Sequence, residues 1–197
     1  MKHKILIIGA GKVGTALQTG LSRAGCDVRI AKREIAEAAS WADVIILAVP
    51  FGAVRDVARA LQAATDGKTV IDVTNALTAD FELAVGFTTS GAEELQKLLP
   101  RAYIVKAFNT VFAQHMSTGK VNGEQLSAFA AGDNEAARKT VLELAKAIVF
   151  DPVDAGPLKN ARSLEALAPL NIQLSWVLGN GPNVGIKFVH HHQPAIK

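Results

Sequence analysis

The 197-residue sequence predicts an α/β domain built on a doubly wound, mostly parallel sheet. Three observations carry this. Short, continuously apolar runs rich in Ile and Val recur along the chain, amphipathic stretches separate them, and a glycine-rich turn sits where the first run hands over to the first amphipathic stretch. Continuous apolar runs are what strands covered on both faces look like, and alternation of such strands with helices implies crossovers between parallel neighbours.

In chain order, Lys-Ile-Leu-Ile-Ile at 4–8 reads as the first strand and 15–24 as an amphipathic helix. Residues 27–31 read as a short second strand, followed by a turn of helix around 34–40 and a third strand at 43–49 that is continuously apolar after Asp43. Residues 53–64 place Val54, Val57, Ala58 and Leu61 on one helical face. Strands at 68–73, 103–108, 127–131 and 148–153, with helices at 93–99 and 135–147, continue the alternation. A longer helical stretch spans 158–178, with a kink expected near Pro169, and 185–189 reads as a closing strand. The segment 32–42 is too short for the helix and further strand of a full nucleotide-binding half. It reads as a shortened second helix/strand unit that leaves the adenine side open. One compact unit over 1–197 is expected, a core over 1–112 with a C-terminal extension over 113–197.

Composition narrows the function classes. The 21 basic and 18 acidic residues are interspersed, so a nucleic-acid partner is not expected. Cys26 is the single cysteine, which excludes an internal disulfide or a cysteine-rich metal site, and it reads as a packing residue. The first apolar run is too short for a signal-peptide core, and none approaches the roughly 20 residues of a membrane span. A cytoplasmic protein without a membrane partner is expected.

The turn Gly9-Ala10-Gly11-Lys12-Val13-Gly14 is placed where a dinucleotide-binding fingerprint must be, between a buried strand and a helix. Gly9 permits the tight turn, Gly11 lets a pyrophosphate approach the backbone, and Gly14 lets helix and sheet pack closely, which is the Rossmann arrangement. The helix N-terminus then offers N–H groups and a positive dipole end to the anion. At the end of the second strand, where NAD-binding chains place an acidic residue, stand Lys32 and Arg33. A guanidinium can hold a 2′-phosphate bidentately, so NADP(H) is expected in preference to NAD(H). Glu34 would soften this if it folded back, and the basic pair read alone could be solvated loop charge.

These features, with Asp154-Ala-Gly-Pro-Leu-Lys-Asn-Ala-Arg162, Glu165-Ala-Leu-Ala-Pro-Leu170 and Gly185-Ile-Lys-Phe188, resemble the NADP oxidoreductases dependent on the deazaflavin coenzyme F420. The middle segment Lys106-Ala-Phe-Asn-Thr-Val111 also looks like the cytosolic nucleotide domain of the six-transmembrane ferric reductases, which is related to that family and passes hydride from NADPH to a flavin. The resemblance implies that Gly9, Ala10, Gly11, Lys12, Val13 and Gly14 hold the pyrophosphate and Lys32 with Arg33 the 2′-phosphate. It implies that Val49, Pro50 and Phe51 line the adenosine and ribose path. Asn75 and Phe108, Asn109, Thr110 and Val111 would border the nicotinamide, and the C-terminal helix and strand would wall the acceptor pocket. The chain departs from the family pattern in its shortened 32–42 segment and in Phe112, where a small or imino residue often stands. Both departures bear on the acceptor, not on the cofactor.

Hydride transfer between a nicotinamide and F420, or FMN or FAD, needs two rings held face to face, and positioning can supply up to about 7–11 kcal/mol of the barrier. No protein acid or base is required, and no Ser-His-Asp set, paired carboxylates or H-E-x-x-H pattern occurs. Lys106 could reach a substrate carbonyl or phosphate or project to solvent, and His115 reads as a surface or core-edge histidine. His190-His191-His192 reads as a frayed tail and not as a metal site. The expected activity is hydride exchange between NADPH and a deazaflavin or flavin acceptor, by a chain expected to form a homodimer. A redox sensor binding NADPH without turnover, and a reductase of a small carbonyl or imine, are the alternatives. The last is disfavoured because those enzymes usually carry a long all-helical C-terminal domain.

Overall fold

The computed structural model describes residues 3–189 except 79 and 81. A seven-stranded sheet runs in the order β2-β1-β3-β4-β5-β8-β9. Its first five strands are β1 (Lys4–Ile8), β2 (Asp27–Ala31), β3 (Val44–Leu47), β4 (Thr69–Asp72) and β5 (Tyr103–Ala107), all parallel. β1 sits between β2 and β3, so the chain crosses in opposite directions on either side of it. The crevice outside the carboxyl ends of β1 and β3 is therefore the topological switch point where open α/β sheets bind ligands. β2 is the edge of the sheet, as the shortened 32–42 segment implies, and only the seven-residue α2 (Ile35–Trp41) connects it to β3.

The last two strands depart from a fully parallel reading. β8 (Ser127–Ala131) pairs antiparallel with β5 through Lys106↔Ala131 and Ala107↔Ala130, and β9 (Asp151–Asp154) is parallel to β8. Between β5 and β8 lie the one-turn α5 (Ala113–Met116) and a small hairpin, β6 (Lys120–Val121) with β7 (Glu124–Gln125), which brings the chain back without a crossover. α1 (Lys12–Arg23) and α6 (Glu135–Ala147) pack on one face, against Ile5, Ile7, Ile46, Ile71 and Val105. α3 (Val54–Leu61) and α4 (Gly91–Leu98) cover the other face, against Leu6, Ile8, Ile45, Leu47, Val70 and Ile104. The start of α7 (Ala161–Ile172) joins them there through Ala161.

Three sequence expectations are corrected. Residues 185–189 form no strand. β8 already has β5 and β9 as neighbours, so the segment only touches its start, through Ser127 N donating to Ile186 O and Phe188 N donating to Ser127 Oγ. The strand expected from 148 begins at Asp151, because the N–H groups of Ile148 and Phe150 still cap α6 and Val149 turns the chain at φ +75°. The helical stretch after 158 is a short 3₁₀ turn, then α7 running through Pro169, then a wide π turn over Gln173–Val177, so it changes pitch after the proline. Among the described residues no helix is long and apolar enough to cross a membrane. His190, His191 and His192 lie outside the described residues.

Candidate functional site

The glycine turn is built by backbone contact. Gly9 has φ +111°, and a Cβ there would lie 2.2 Å from Ala48 O, so β1 and β3 can meet only through glycine. A Cβ on Gly14 would lie 2.1 Å from Gly9 O, so the helix seats directly on the turn. Gly11 differs from both: a Cβ there would meet nothing within 4 Å. Its space opens outward, over the first turn of α1, whose first hydrogen bond back to the turn is Thr15 N to Gly11 O. The N–H groups before Thr15 have no intrahelical acceptor, and the N-cap receives no side-chain hydrogen bond. An open cradle with unpaired donors fits the pyrophosphate of a dinucleotide.

The register Ile8↔Ala31 brings the end of β2 level with this turn, and Gly9 N donates to Ala31 O. Lys32 and Arg33 follow immediately, exposed, with no ion pair to the described residues. Glu34 is the N-cap of α2 at φ 51°, and no ion pair joins it to either cation. Two free cations beside the cradle are what a 2′-phosphate needs. On the β3 side, Val49 is half-buried and Pro50 exposed, while the ring of Phe51 turns toward α4, where a Cβ on Gly91 would lie 2.9 Å from it.

At the carboxyl ends of β4 and β5 the two asparagines pair. Asn75 Nδ2 donates to Asn109 O (3.1 Å), and Asn109 Nδ2 donates to Asn75 Oδ1 (3.0 Å) and to Leu164 O of α7 (2.8 Å). Asn109 Oδ1 accepts no hydrogen bond from the described residues, and Thr74 Oγ1, one residue before Asn75, is buried without a partner. Phe108, Thr110 and Val111 are buried. Phe108 takes φ +62° and packs on Phe150 at 5.9 Å between centroids, and Thr110 O accepts from Asn171 Nδ2 of α7 (3.1 Å). Their side chains are buried in the protein, which leaves the Asn109 carboxamide oxygen and the backbone as the groups this loop could offer to a ligand.

Below the asparagines lies a buried charge cluster that the motifs do not announce. Lys106, fully buried, faces Asp72 across the β4–β5 register and reaches Asp72 Oδ2 at 2.7 Å, Glu165 Oε1 of α7 at 2.8 Å and Thr74 O at 2.8 Å. Its three ammonium protons are thus all used within the protein, which corrects both expected roles for Lys106: it reaches neither a substrate nor solvent. Burial alone would push this ammonium down, and the facing carboxylates of Asp72 and Glu165 more than offset that, holding it above its ordinary value. Asp72 Oδ1 accepts from Thr74 N (2.9 Å), which fixes the turn carrying Asn75. Glu165 also accepts from Gly91 N (2.8 Å) and Ala92 N (3.1 Å) at the start of α4, so the helix end helps to compensate the second carboxylate. The signal was present in the sequence as one charged residue in each of two otherwise apolar strands and one in the apolar run of α7.

His115 is buried at the core edge, its Nε2 3.0 Å from Pro182 O. Cys26 is half-buried against the core, and burial pushes its thiol up, in keeping with packing. An open cleft of about 870 Å³ extends from Ala10, Gly11 and Lys12 along Thr15, Ala16 and Thr19 of α1 to Phe112, Ala113, Gln114 and Trp176.

Residues 31–76 match the family model described as "NADP oxidoreductase coenzyme F420-dependent". The chain is 31% identical over 192 residues to the metalloreductase STEAP3 of Rattus norvegicus, a match covering 88% of this chain and 38% of that protein. It is 28% identical over 186 residues to the F420-dependent NADP reductase of Methanocaldococcus jannaschii, covering 88% and 83% of the two chains. Its fold matches a provisionally named F420-dependent NADP-reductase from Arthrobacter sp. FB24 with a TM-score of 0.88 at 26% identity, over 95% of this chain and all of that one. The chain spans well under half the length of the metalloreductases it matches. The resemblance drawn from the motifs is borne out, and the Rossmann-like fold with it.

Proposed function

We propose that this chain, which resembles the coenzyme F420-dependent NADP oxidoreductases, is an NADP(H)-dependent oxidoreductase exchanging hydride with a flat ring acceptor, a deazaflavin of the F420 type or a flavin. The observation that carries this reading is the cradle at Gly11, open and lined by unpaired N–H groups, with the free cations Lys32 and Arg33 at the neighbouring strand end. The names of the matching proteins support the same cofactor and reaction class.

In this reading Gly9 to Gly14 hold the pyrophosphate, Lys32 and Arg33 the 2′-phosphate, and Val49, Pro50 and Phe51 the adenosine side. Asn109 Oδ1 accepts from the nicotinamide carboxamide, oriented by Asn75 and by Leu164 O. When bound, NADPH supplies a hydride from nicotinamide C4 to C5 of a deazaflavin or N5 of a flavin, with a solvent proton completing the two-electron reduction. The protein's contribution is position, because Lys106 and His115 are both committed to internal contacts. Purified protein mixed with NADPH and offered oxidised F420, FMN or FAD tests this. Saturable bleaching of one acceptor with matching NADPH loss is expected. Tight NADPH binding with no turnover of any ring would favour the sensor reading, and no preference for NADPH over NADH would remove the cofactor assignment.

A further inference from the structure

The buried cluster beneath the asparagines does not balance its own charge. One ammonium, Lys106, faces two carboxylates, Asp72 and Glu165, and all three are shut off from solvent. Every contact made by the four carboxylate oxygens is with a donor: Thr74 N and Lys106 Nζ on Asp72, and Gly91 N, Ala92 N and Lys106 Nζ on Glu165. An acid that only accepts is ionised, so the cluster holds one negative charge more than Lys106 neutralises. The N–H groups opening α4 offset part of the excess, through a dipole end equivalent to about half a charge. The neighbouring Arg162–Glu93 pair is itself neutral. A single carboxylate would balance Lys106, and burying a second is a cost the fold bears.

The place of that excess gives it a use. Lys106 precedes Asn109 by three residues, and Asp72 precedes Asn75 by three, so in each strand the charge lies no more than about 11 Å along the chain from the asparagine. Glu165 follows Leu164, whose carbonyl holds Asn109 Nδ2 at 2.8 Å. A charge buried this close is screened far less than one at the surface. The nicotinamide that these asparagines would border is neutral when reduced and carries one positive charge when oxidised, because the hydrogen of C4 leaves with both electrons of its bond and adds to the flavin-type ring. The pyrophosphate and 2′-phosphate are the same in both forms, so the glycine cradle, Lys32 and Arg33 hold them equally. We infer that the Asp72, Lys106 and Glu165 cluster senses the oxidation state of the bound nicotinamide, holding NADP⁺ more tightly than NADPH and so biasing the site toward giving up hydride. The inference rests on the hydride-exchange reading and gives that reaction its favoured direction.

The test is calorimetric titration of the intact chain with NADP⁺ and with NADPH side by side, at neutral pH, with no acceptor present and below the melting temperature of each variant. The native chain should bind NADP⁺ at least about threefold more tightly than NADPH. In Glu165→Gln the cluster becomes neutral, and NADP⁺ affinity should fall about tenfold while NADPH affinity stays within about twofold of native. Asp72→Asn removes the same charge from the other side of Lys106 and should move the ratio the same way. A site that is merely loosened would lose both forms alike, so the ratio separates charge from structural support. Equal losses in both variants would overturn the inference and leave the cofactor assignment standing. A native chain that binds NADPH as tightly as NADP⁺, or more so, would do the same even if neither variant folds. Binding of neither form by the native chain would remove the cofactor reading and this inference with it.

Discussion

The two halves of the candidate site are held together by opposite means. At the carboxyl ends of β1 and β3 the chain meets itself backbone to backbone, with Gly9 against Ala48 O and Gly14 against Gly9 O. At the carboxyl ends of β4 and β5 the architecture is ionic: Lys106, Asp72 and Glu165 lock two strands, the start of α4 and α7 into one cluster beneath the paired asparagines. Steric construction is insensitive to pH and salt but tolerates no added atom. Ionic construction tolerates small changes of shape and fails when one partner is lost.

The sharpest way to break that contrast is Lys106→Met. Removing the ammonium leaves two carboxylates buried against each other, and a loss of about 3–5 kcal/mol is expected in chemical denaturation. A loss under about 1 kcal/mol would mean that the cluster does not hold this end together. The steric half should respond next. Gly14→Ala drives a methyl into a carbonyl and should cost about 1–3 kcal/mol. Gly11→Ala has room and should leave the melting temperature near the native value while weakening NADPH binding at least about tenfold, because the same methyl occupies the anion's approach. If Gly11→Ala bound NADPH normally, the cradle would lie elsewhere. Arg33→Glu should weaken NADPH binding by about tenfold to a hundredfold and NADH binding by no more than about twofold, measured side by side. Equal losses would detach Arg33 from the 2′-phosphate.

The smallest expected effect is a pH dependence of the ionic half. Glu93, which follows the N-cap Ser90 of α4, accepts both arms of the Arg162 guanidinium of α7 at 2.8 and 2.6 Å. That pairing, against the opposing effect of burial, holds its carboxyl below the usual range. A depressed carboxyl contributes stability above its unfolded value of about 4.3, and that contribution is lost as pH falls through the folded value. Lys106 is shifted the other way, so its contribution is complete below about pH 10.4 and disappears only as pH rises through its folded value. The melting temperature should therefore be flat with respect to these groups from about pH 5 to 10 and fall in acid, with a shallower acid slope in Glu93→Gln. An unchanged acid slope in that variant would remove the Glu93–Arg162 tie from the account.

The steric half was legible because each glycine has a local reason to exist, visible in six consecutive residues. The sheet was legible for a related reason: buried parallel strands such as Val44–Leu47 have a composition of their own. The ionic half was not, because its three members lie 34 and 59 residues apart and each looks ordinary alone. Lys106 read alone suits a ligand or solvent equally well. Its partners Asp72 and Glu165 could be found only by asking what an ammonium in a strand of Ile, Val and Ala would need. The 185–189 segment misleads for the converse reason. It has a strand's composition, but whether it pairs depends on which edge of β8 is vacant, and neither is.

The charge cluster also sets an order of events during synthesis. Asp72 and Lys106 emerge from the ribosome well before Glu165, and they meet in a sheet whose covering helix α7 does not yet exist. Until then the ammonium and its carboxylate have water in place of Glu165, and the Asn109 amide lacks the Leu164 carbonyl that aims it. The nucleotide half thus reaches its final form only when the last third of the chain arrives. A fragment cut near residue 112 would carry every fingerprint residue and still lack the contacts that finish its fold.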